Sequence, residues 1–240
     1  MSILNKIWDD LFALLFPTEC VVCGSLLKPG ERVVCTFCRA TAPLTGYWQE
    51  ASNPVLDLCR NELEVEHASA FLFFQHHSGW RDLIHHFKYH GAWRWATIMG
   101  AWYGRCLKEG GLYDDVDLVV PLPLHPIRHC MRGYNQSSYL AHGIACELGV
   151  KVDHYSVWRK RYTPQQALKK HQDRASNVAG AFTVLRPKRL AQKHILLVDD
   201  VMTTGSTLLS CAHAIHEAVP SCRISIAAFA VTRHALGVKD

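Results

Sequence analysis

No apolar run in this chain approaches the roughly 20 residues that a helix needs to cross a bilayer, so no integral membrane association is expected. Nor does the start read as an export signal. In MSILNKIWDDLFALLF, Asp9 and Asp10 interrupt the apolar stretch, and no small-residue cleavage site follows. Internal repeats and low-complexity segments are missing, which sets aside solenoid and array architectures. Two familiar nucleotide loops are missing as well. GxxxxGK[ST] does not occur, which argues against an ordinary P-loop enzyme, and no GxGxxG follows a strand pattern, which argues against a dinucleotide fold. Charge of one sign is in small excess only, at a formal +5.

What is present is enough for a full core. With 240 residues, 49% of them hydrophobic, the chain reads as a soluble globular protein with one main domain and a small appendage. Ten cysteines without an export signal point to a reducing compartment, with the cytoplasm as the default. Residues 1–16 read as an amphipathic helix. Ile3, Leu4, Ile7, Trp8, Leu11, Leu14 and Leu15 recur at helical spacing, as a stripe docked on the protein, with membrane-surface binding as the alternative. Residues 17–54 form a region rich in cysteine and turn residues, and residues 55–240 form the main domain.

Within that domain the patterns alternate. Strands are expected at 67–75, 116–122, 152–158, 194–198 and 224–231, and helices at 79–89, 92–107, 134–148 and 206–218. Such alternation predicts an α/β fold, an open and mainly parallel sheet with helices on both faces. From Trp158 to His194 the chain carries Arg159, Lys160, Arg161, Lys169, Lys170, Arg174, Arg186, Lys188, Arg189 and Lys193 against Asp173 alone. A phosphorylated small molecule or a nucleic-acid backbone would satisfy that segment, which is long for a connection and reads as a functional flap.

CVVCG and CTFC place Cys20, Cys23, Cys35 and Cys38 on two tight turns, a spacing suited to a structural, tetrahedral Zn2+ site. Cys59, Cys106, Cys130, Cys146, Cys211 and Cys222 are scattered and read as small core residues. The paired histidines His76–His77 and His85–His86 do not read as metal ligands; the second pair falls on an expected helix, where adjacent residues do not share a face.

HILLVDD brings Asp199 and Asp200 to the carboxyl end of a strand, where open parallel sheets bind ligands. Two neighbouring carboxylates can accept the hydroxyls of a sugar cis-diol while facing a divalent cation. Thr203, Thr204, Gly205, Ser206 and Thr207 then lead into a helix, whose first N–H groups suit a phosphate. The ligand read from these residues is a ribose 5-phosphate with a metal.

ILLVDDVMTTGST resembles the phosphoribosyl-pyrophosphate fingerprint of type I phosphoribosyltransferases. Together with CVVCG, CTFC, LIHHFKYHG, VVPLPLHPIRHCMRGYNQSSYLA and RYTPQQALKKHQDRASNVAGAF, the chain is similar to the ComF family, which joins a cysteine-rich zinc ribbon to such a domain. Many relatives carry further cysteine pairs, whereas here only Cys59 lies nearby, so a single zinc is expected. The resemblance implies a type I phosphoribosyltransferase fold preceded by a zinc-ribbon-like segment. It places Pro123 and Leu124 in a loop facing the pyrophosphate, with Arg128 and Arg132 as its cationic donors. Lys88 and Arg161 would close over the same anion, and Gln165, Arg174 and Asn177 match a motif of underived role. Asp199 and Asp200 would hold the ribose, with Mg2+ assisting departure of pyrophosphate from the anomeric carbon. The acceptor is not legible.

The same resemblance implies a role in natural competence or in the use of external DNA. The alternative is a non-catalytic protein responsive to phosphoribosyl pyrophosphate that contacts single-stranded DNA or DNA-uptake proteins through the ribbon and flap, where Trp158, Tyr162 and Phe182 lie among the cations. A second copy of the chain, as a homodimer, is a further candidate partner.

Overall fold

The computed structural model describes residues 18–75, 77–88, 91–160 and 180–237. The helix expected at 1–16 lies outside them, as do Arg161, Tyr162, Gln165, Arg174 and Asn177. In chain order the strands are β1 (Ala68–Phe74), β2 (Leu118–Pro121), β3 (Lys151–Val152), β4 (Val157–Arg159), β5 (Phe182–Val184), β6 (His194–Met202) and β7 (Arg223–Thr232). The α-helices are α1 (Thr36–Ala40), α2 (Pro54–Arg60), α3 (Gly79–Lys88), α4 (Trp93–Gly110), α5 (Pro126–Arg132), α6 (Gln136–Leu148), α7 (Pro187–Leu190) and α8 (Ser206–Ala218).

Five strands form one sheet in the order β1-β7-β6-β2-β3, and every pairing is parallel. Parallel sheets must be covered on both faces, and the strands show it. Along β7, residues Ile224 to Val231 are all buried and, apart from Ser225, apolar, as a doubly covered strand requires. Leu196 and Val198 of β6 join a core with α3, α4 and α6, whereas Ile195 and Leu197 join a second core with α2 and α8. The expected α/β sheet with helices on both faces is therefore what forms.

The tightest helix contact, α4 on α6, follows from small residues. A Cβ added to Gly100 would sit 2.3 Å from the Leu140 carbonyl oxygen, and one added to Gly143 would sit 2.2 Å from that of Thr97. Only glycine permits this approach. The cysteine-rich segment shares the first core. Cys20, Val33, Val34, Cys35 and Cys38 are buried with Trp48, whose ring lies 5.7 Å from Phe71 and 6.3 Å from Tyr103.

Two expectations need correction. The strand at 152–158 is broken into β3 and β4, because the buried Asp153 carboxylate accepts from Tyr155 N–H (2.8 Å), Ser156 N–H (3.0 Å) and the Ser156 hydroxyl (2.6 Å), and so fixes a turn. β4 then leaves the main sheet and pairs antiparallel with β5, Arg159 opposite Phe182. The strand expected to end at 198 runs on to Met202, so the acid pair lies within β6 rather than beyond it. The scattered cysteines also divide. Cys59, Cys211 and Cys222 are buried as expected, Cys106 is half-buried, and Cys130 and Cys146 are exposed on helices.

Candidate functional site

The four cysteine sulfurs Cys20, Cys23, Cys35 and Cys38 all lie within 4.8 Å of one another. Four Zn–S bonds of about 2.3 Å in a tetrahedron place the sulfurs about 3.8 Å apart. The Cys23 and Cys35 sulfurs are 3.8 Å apart. Backbone N–H groups of Cys35 and Cys38 donate to the Cys20 and Cys35 sulfurs at 3.3 and 3.4 Å. Hydrogen bonds, first from Ser25 and then from Cys38 and Cys20, lower the Cys23 thiol to about 6, while burial pushes Cys38 up. The donor set thus fits a closed metal site such as zinc's, with all four positions taken by sulfur.

At the carboxyl end of the sheet, β6 presents the acid pair. Its ladder to β7 pairs Asp199 with Ala228 and resumes at Val201 with Ala230. Between them, Val201 N–H donates instead to the Asp200 carboxylate at 2.9 Å. The two carboxylates have different partners. Asp200 is buried, forms a 2.9 Å ion pair with Lys88 at the end of α3, and accepts from the Gln136 amide at 3.4 Å. Asp199 is half-buried and accepts from the Ser137 hydroxyl at 2.9 Å. Their titration is split accordingly. Burial, then the Asp200 charge, raises Asp199, whereas burial of Asp200 is outweighed by the charge and hydrogen bond of Lys88 together with the Arg132 charge and the Val201 N–H, which hold it below its ordinary value.

Gly205 follows in the left-handed region (φ 73°), which turns the chain sharply into α8. α8 starts at Ser206 with no side-chain cap on its first N–H groups. Those groups have no intrahelical acceptor, so together with the helix dipole they favour an anion. Thr204 and Ser206 hydroxyls bond each other at 2.9 Å, and the Thr203 carbonyl accepts from Thr232 of β7 at 3.2 Å, which ties the loop to its neighbour strand.

The β2 exit carries the cationic side of the site. Pro123 and Leu124 are half-buried in the connection to α5, a helix that the sequence pattern did not reveal and that carries Arg128 and Arg132. Arg132 donates to the Gln136 side-chain oxygen at 3.2 Å, so Arg132, Gln136, Asp200 and Lys88 form one connected group. Asn135 caps α6 by accepting from Ser137 N–H and anchors the turn by donating to the Leu122 carbonyl at 3.0 Å. Lys88 reaches the site through its ion pair with Asp200. Sequence reasoning missed Gln136 and Ser137 as the residues that hold the acids; their place at the start of a helix behind β2 was the available signal.

Residues 135–240, which hold the acid pair on β6 and the uncapped start of α8, match a family model described as "Phosphoribosyl transferase domain". The chain is homologous to proteins named for DNA utilisation and competence. It is 38% identical to "DNA utilization protein YhgH" of Salmonella typhi over 96 residues, 40% of this chain and 41% of that one. It is 23% identical to "Competence protein ComFC" of Streptococcus pneumoniae over 222 residues, 83% of this chain and 94% of that one. The match thus spans less than half the length of the first of these relatives. A solved glutamine phosphoribosylpyrophosphate amidotransferase from B. subtilis superposes with a TM-score of 0.38 at 17% identity, covering 56% of this chain and 26% of that one. The family match over residues 135–240 and the relatives named for DNA utilisation and competence bear out the resemblance, and the parallel sheet bears out the α/β fold. Among the described residues no helix is long and apolar enough to cross a membrane.

Proposed function

We propose that the site binds phosphoribosyl pyrophosphate with Mg2+, and that the protein is a cytoplasmic, phosphoribosyltransferase-like component of natural competence or of the uptake and use of external DNA. The observation that carries this reading is the uncapped start of α8 directly after an acid pair on the central strand. In it, the N–H and hydroxyl groups of Thr203 to Thr207 hold the 5-phosphate, and Asp199 and Asp200 accept the ribose hydroxyls. Pro123 and Leu124 border the pyrophosphate, which Arg128 and Arg132 meet with their charge. Lys88 is foremost among the groups that hold Asp200 below its ordinary value against the raising effect of burial. Mg2+, when bound, supplies charge neutralisation for the leaving pyrophosphate. The residues contribute position and fixed charge rather than proton transfer. A structural Zn2+ at the four cysteines belongs to the same proposal.

Calorimetry with Mg2+ and phosphoribosyl pyrophosphate on the wild type and on Asp200→Asn tests it. Saturable binding by the wild type, weakened in the variant, is expected, and absence of heat in the wild type would end the proposal. Release of pyrophosphate across candidate acceptors then separates enzyme from sensor. One observation favours the second reading, a non-catalytic protein that contacts single-stranded DNA. Trp158 is 46% exposed on the β4–β5 ribbon beside Lys160, a position for base stacking. Phe182, by contrast, is buried in the second core.

A further inference from the structure

A groove of about 340 Å3 lies between the cysteine-rich segment and α4, away from the acid pair. Its apolar lining is the buried Val34 with the half-buried Ile98 and Trp102, and the exposed Arg32, Arg39 and Arg105 stand around it. The charge of the groove is not balanced. Arg105 has the Glu147 carboxylate at 3.2 Å, but among the described residues no carboxylate forms an ion pair with Arg32 or Arg39. Glu31, the one acid of the lining, is taken up locally: its carboxylate accepts from Lys28 N–H and Thr36 N–H at 2.7 Å and from the Thr36 hydroxyl at 2.6 Å. The Arg39 guanidinium lies over the Trp102 ring, 4.7 Å from its centroid, so the groove offers apolar surface and positive charge side by side.

Such a surface suits an amphipathic helix that carries a carboxylate beside its apolar stripe. The chain has that segment before Thr18, outside the described residues. At helical spacing Ile3, Leu4, Ile7, Trp8, Leu11, Leu14 and Leu15 fall in one sector about 140° wide. Asp10 lies about 20° outside the sector, whereas Asp9 lies on the opposite face. Reach is not an obstacle. Thr18 is two residues from Cys20, a span of about 7 Å, and the Cys20 sulfur lies within 4.8 Å of that of Cys35. Cys35 stands between Val34 and Thr36, both of which line the groove. A helix of this length runs about 24 Å, more than enough to cover the two turns of α4 from Ile98 to Arg105.

We propose that this groove is the docking site of the chain's own residues 3–15, which lie in it as a helix with the apolar stripe against Val34, Ile98 and Trp102. Asp10 meets Arg32 or Arg39, and Asp9 faces water. The segment thereby closes the junction between the four-cysteine region and α4.

The test follows amide exchange of residues 3–15 in the full chain, against a free peptide of residues 1–16. Wild type should exchange at least about tenfold more slowly than the peptide. Asp10→Arg should lose at least about threefold of that protection, the size of a surface ion pair turned repulsive, and Asp9→Arg should stay within about 1.5-fold of wild type. Adding Arg32→Asp or Arg39→Asp to Asp10→Arg should bring one of the two double variants back to within about twofold of wild type. As a second measurement, carbodiimide treatment of Arg32→Lys and Arg39→Lys should join Asp10 to the introduced lysine within one chain in at least one of them, read by peptide mass. Wild-type residues that exchange as fast as the peptide overturn the inference. So do equal losses in Asp9→Arg and Asp10→Arg, failure of both charge swaps, or absence of the cross-link from both lysine variants. Protection that disappears on dilution assigns the segment to a second copy of the chain, and protection that needs anionic phospholipid vesicles assigns it to a lipid surface; either result overturns docking within the chain.

Discussion

Replacing Lys88 by methionine isolates the ion pair that holds the acid pair in place. The Lys88 side chain is 22% exposed and that of Asp200 only 7%, so the variant leaves a buried carboxylate without its cation. Breaking a buried pair costs about 3–5 kcal/mol. Here the loss is smaller, because Lys88 is partly solvated and Asp200 keeps its bonds from Gln136 and Val201. We expect about 2–3 kcal/mol at pH 7, or a fall in melting temperature of roughly 5–10 °C for a chain of this size.

The sign of the pH dependence follows from Asp200. Its folded-state pKa is depressed, so the pair contributes stability above the ordinary carboxylate pKa and loses it as pH falls through the folded value. Asp200→Asn in the Lys88→Met background removes the stranded charge and should restore most of the loss. Urea unfolding of the four proteins of this cycle gives the coupling directly. A cost under about 0.5 kcal/mol for Lys88→Met, or additive effects of the two changes, would refute the buried-pair account.

Other outcomes follow from the same geometry. A strong chelator should release one equivalent of metal per chain and speed amide exchange across residues 18–40, whereas Cys35→Ser should prevent loading; retention of metal by that variant would contradict the four-sulfur site. Gly100→Ala pushes a Cβ to within 2.3 Å of the Leu140 carbonyl, so the α4–α6 contact should open at a cost of about 1–3 kcal/mol, seen as a lower melting temperature. Asp199 has a raised pKa, so the folded chain holds a proton that the unfolded chain has released, and its contribution to unliganded stability declines as pH rises toward that value. A ligand that needs the Asp199 carboxylate must displace that proton. Its affinity should therefore climb with pH over the same window, with proton release visible as a buffer-dependent binding heat.

Much of the main domain was legible because its signals are local. The long apolar runs of β1, β6 and β7, the glycine after α6 and the hydroxyl-rich loop before α8 each speak within a few residues. So did the four cysteines. What the sequence hid depends on contacts across the chain or on short polar elements. α5 has no apolar stripe, and its signals are Pro126 at the first turn and Gly133 just past the end. Asp153 broke an apparently continuous strand through a side-chain turn that propensity does not weigh. The union of Lys88 with Asp200 joins two distant segments, and no pattern around either residue announces it. Arg159 looked like one cation among ten, and only its burial against Phe182 sets it apart.

The central claim is that the start of α8 grips a phosphoryl group of phosphoribosyl pyrophosphate. Hydrogen exchange at the amides of Gly205 to Leu208, followed with and without Mg2+ and that ligand, tests it most directly, because these N–H groups have no intrahelical acceptor to protect them. The account predicts slowing by at least about tenfold at those amides when the ligand is saturating, carried by bonds to the phosphate. Unchanged exchange there under saturating ligand would contradict it.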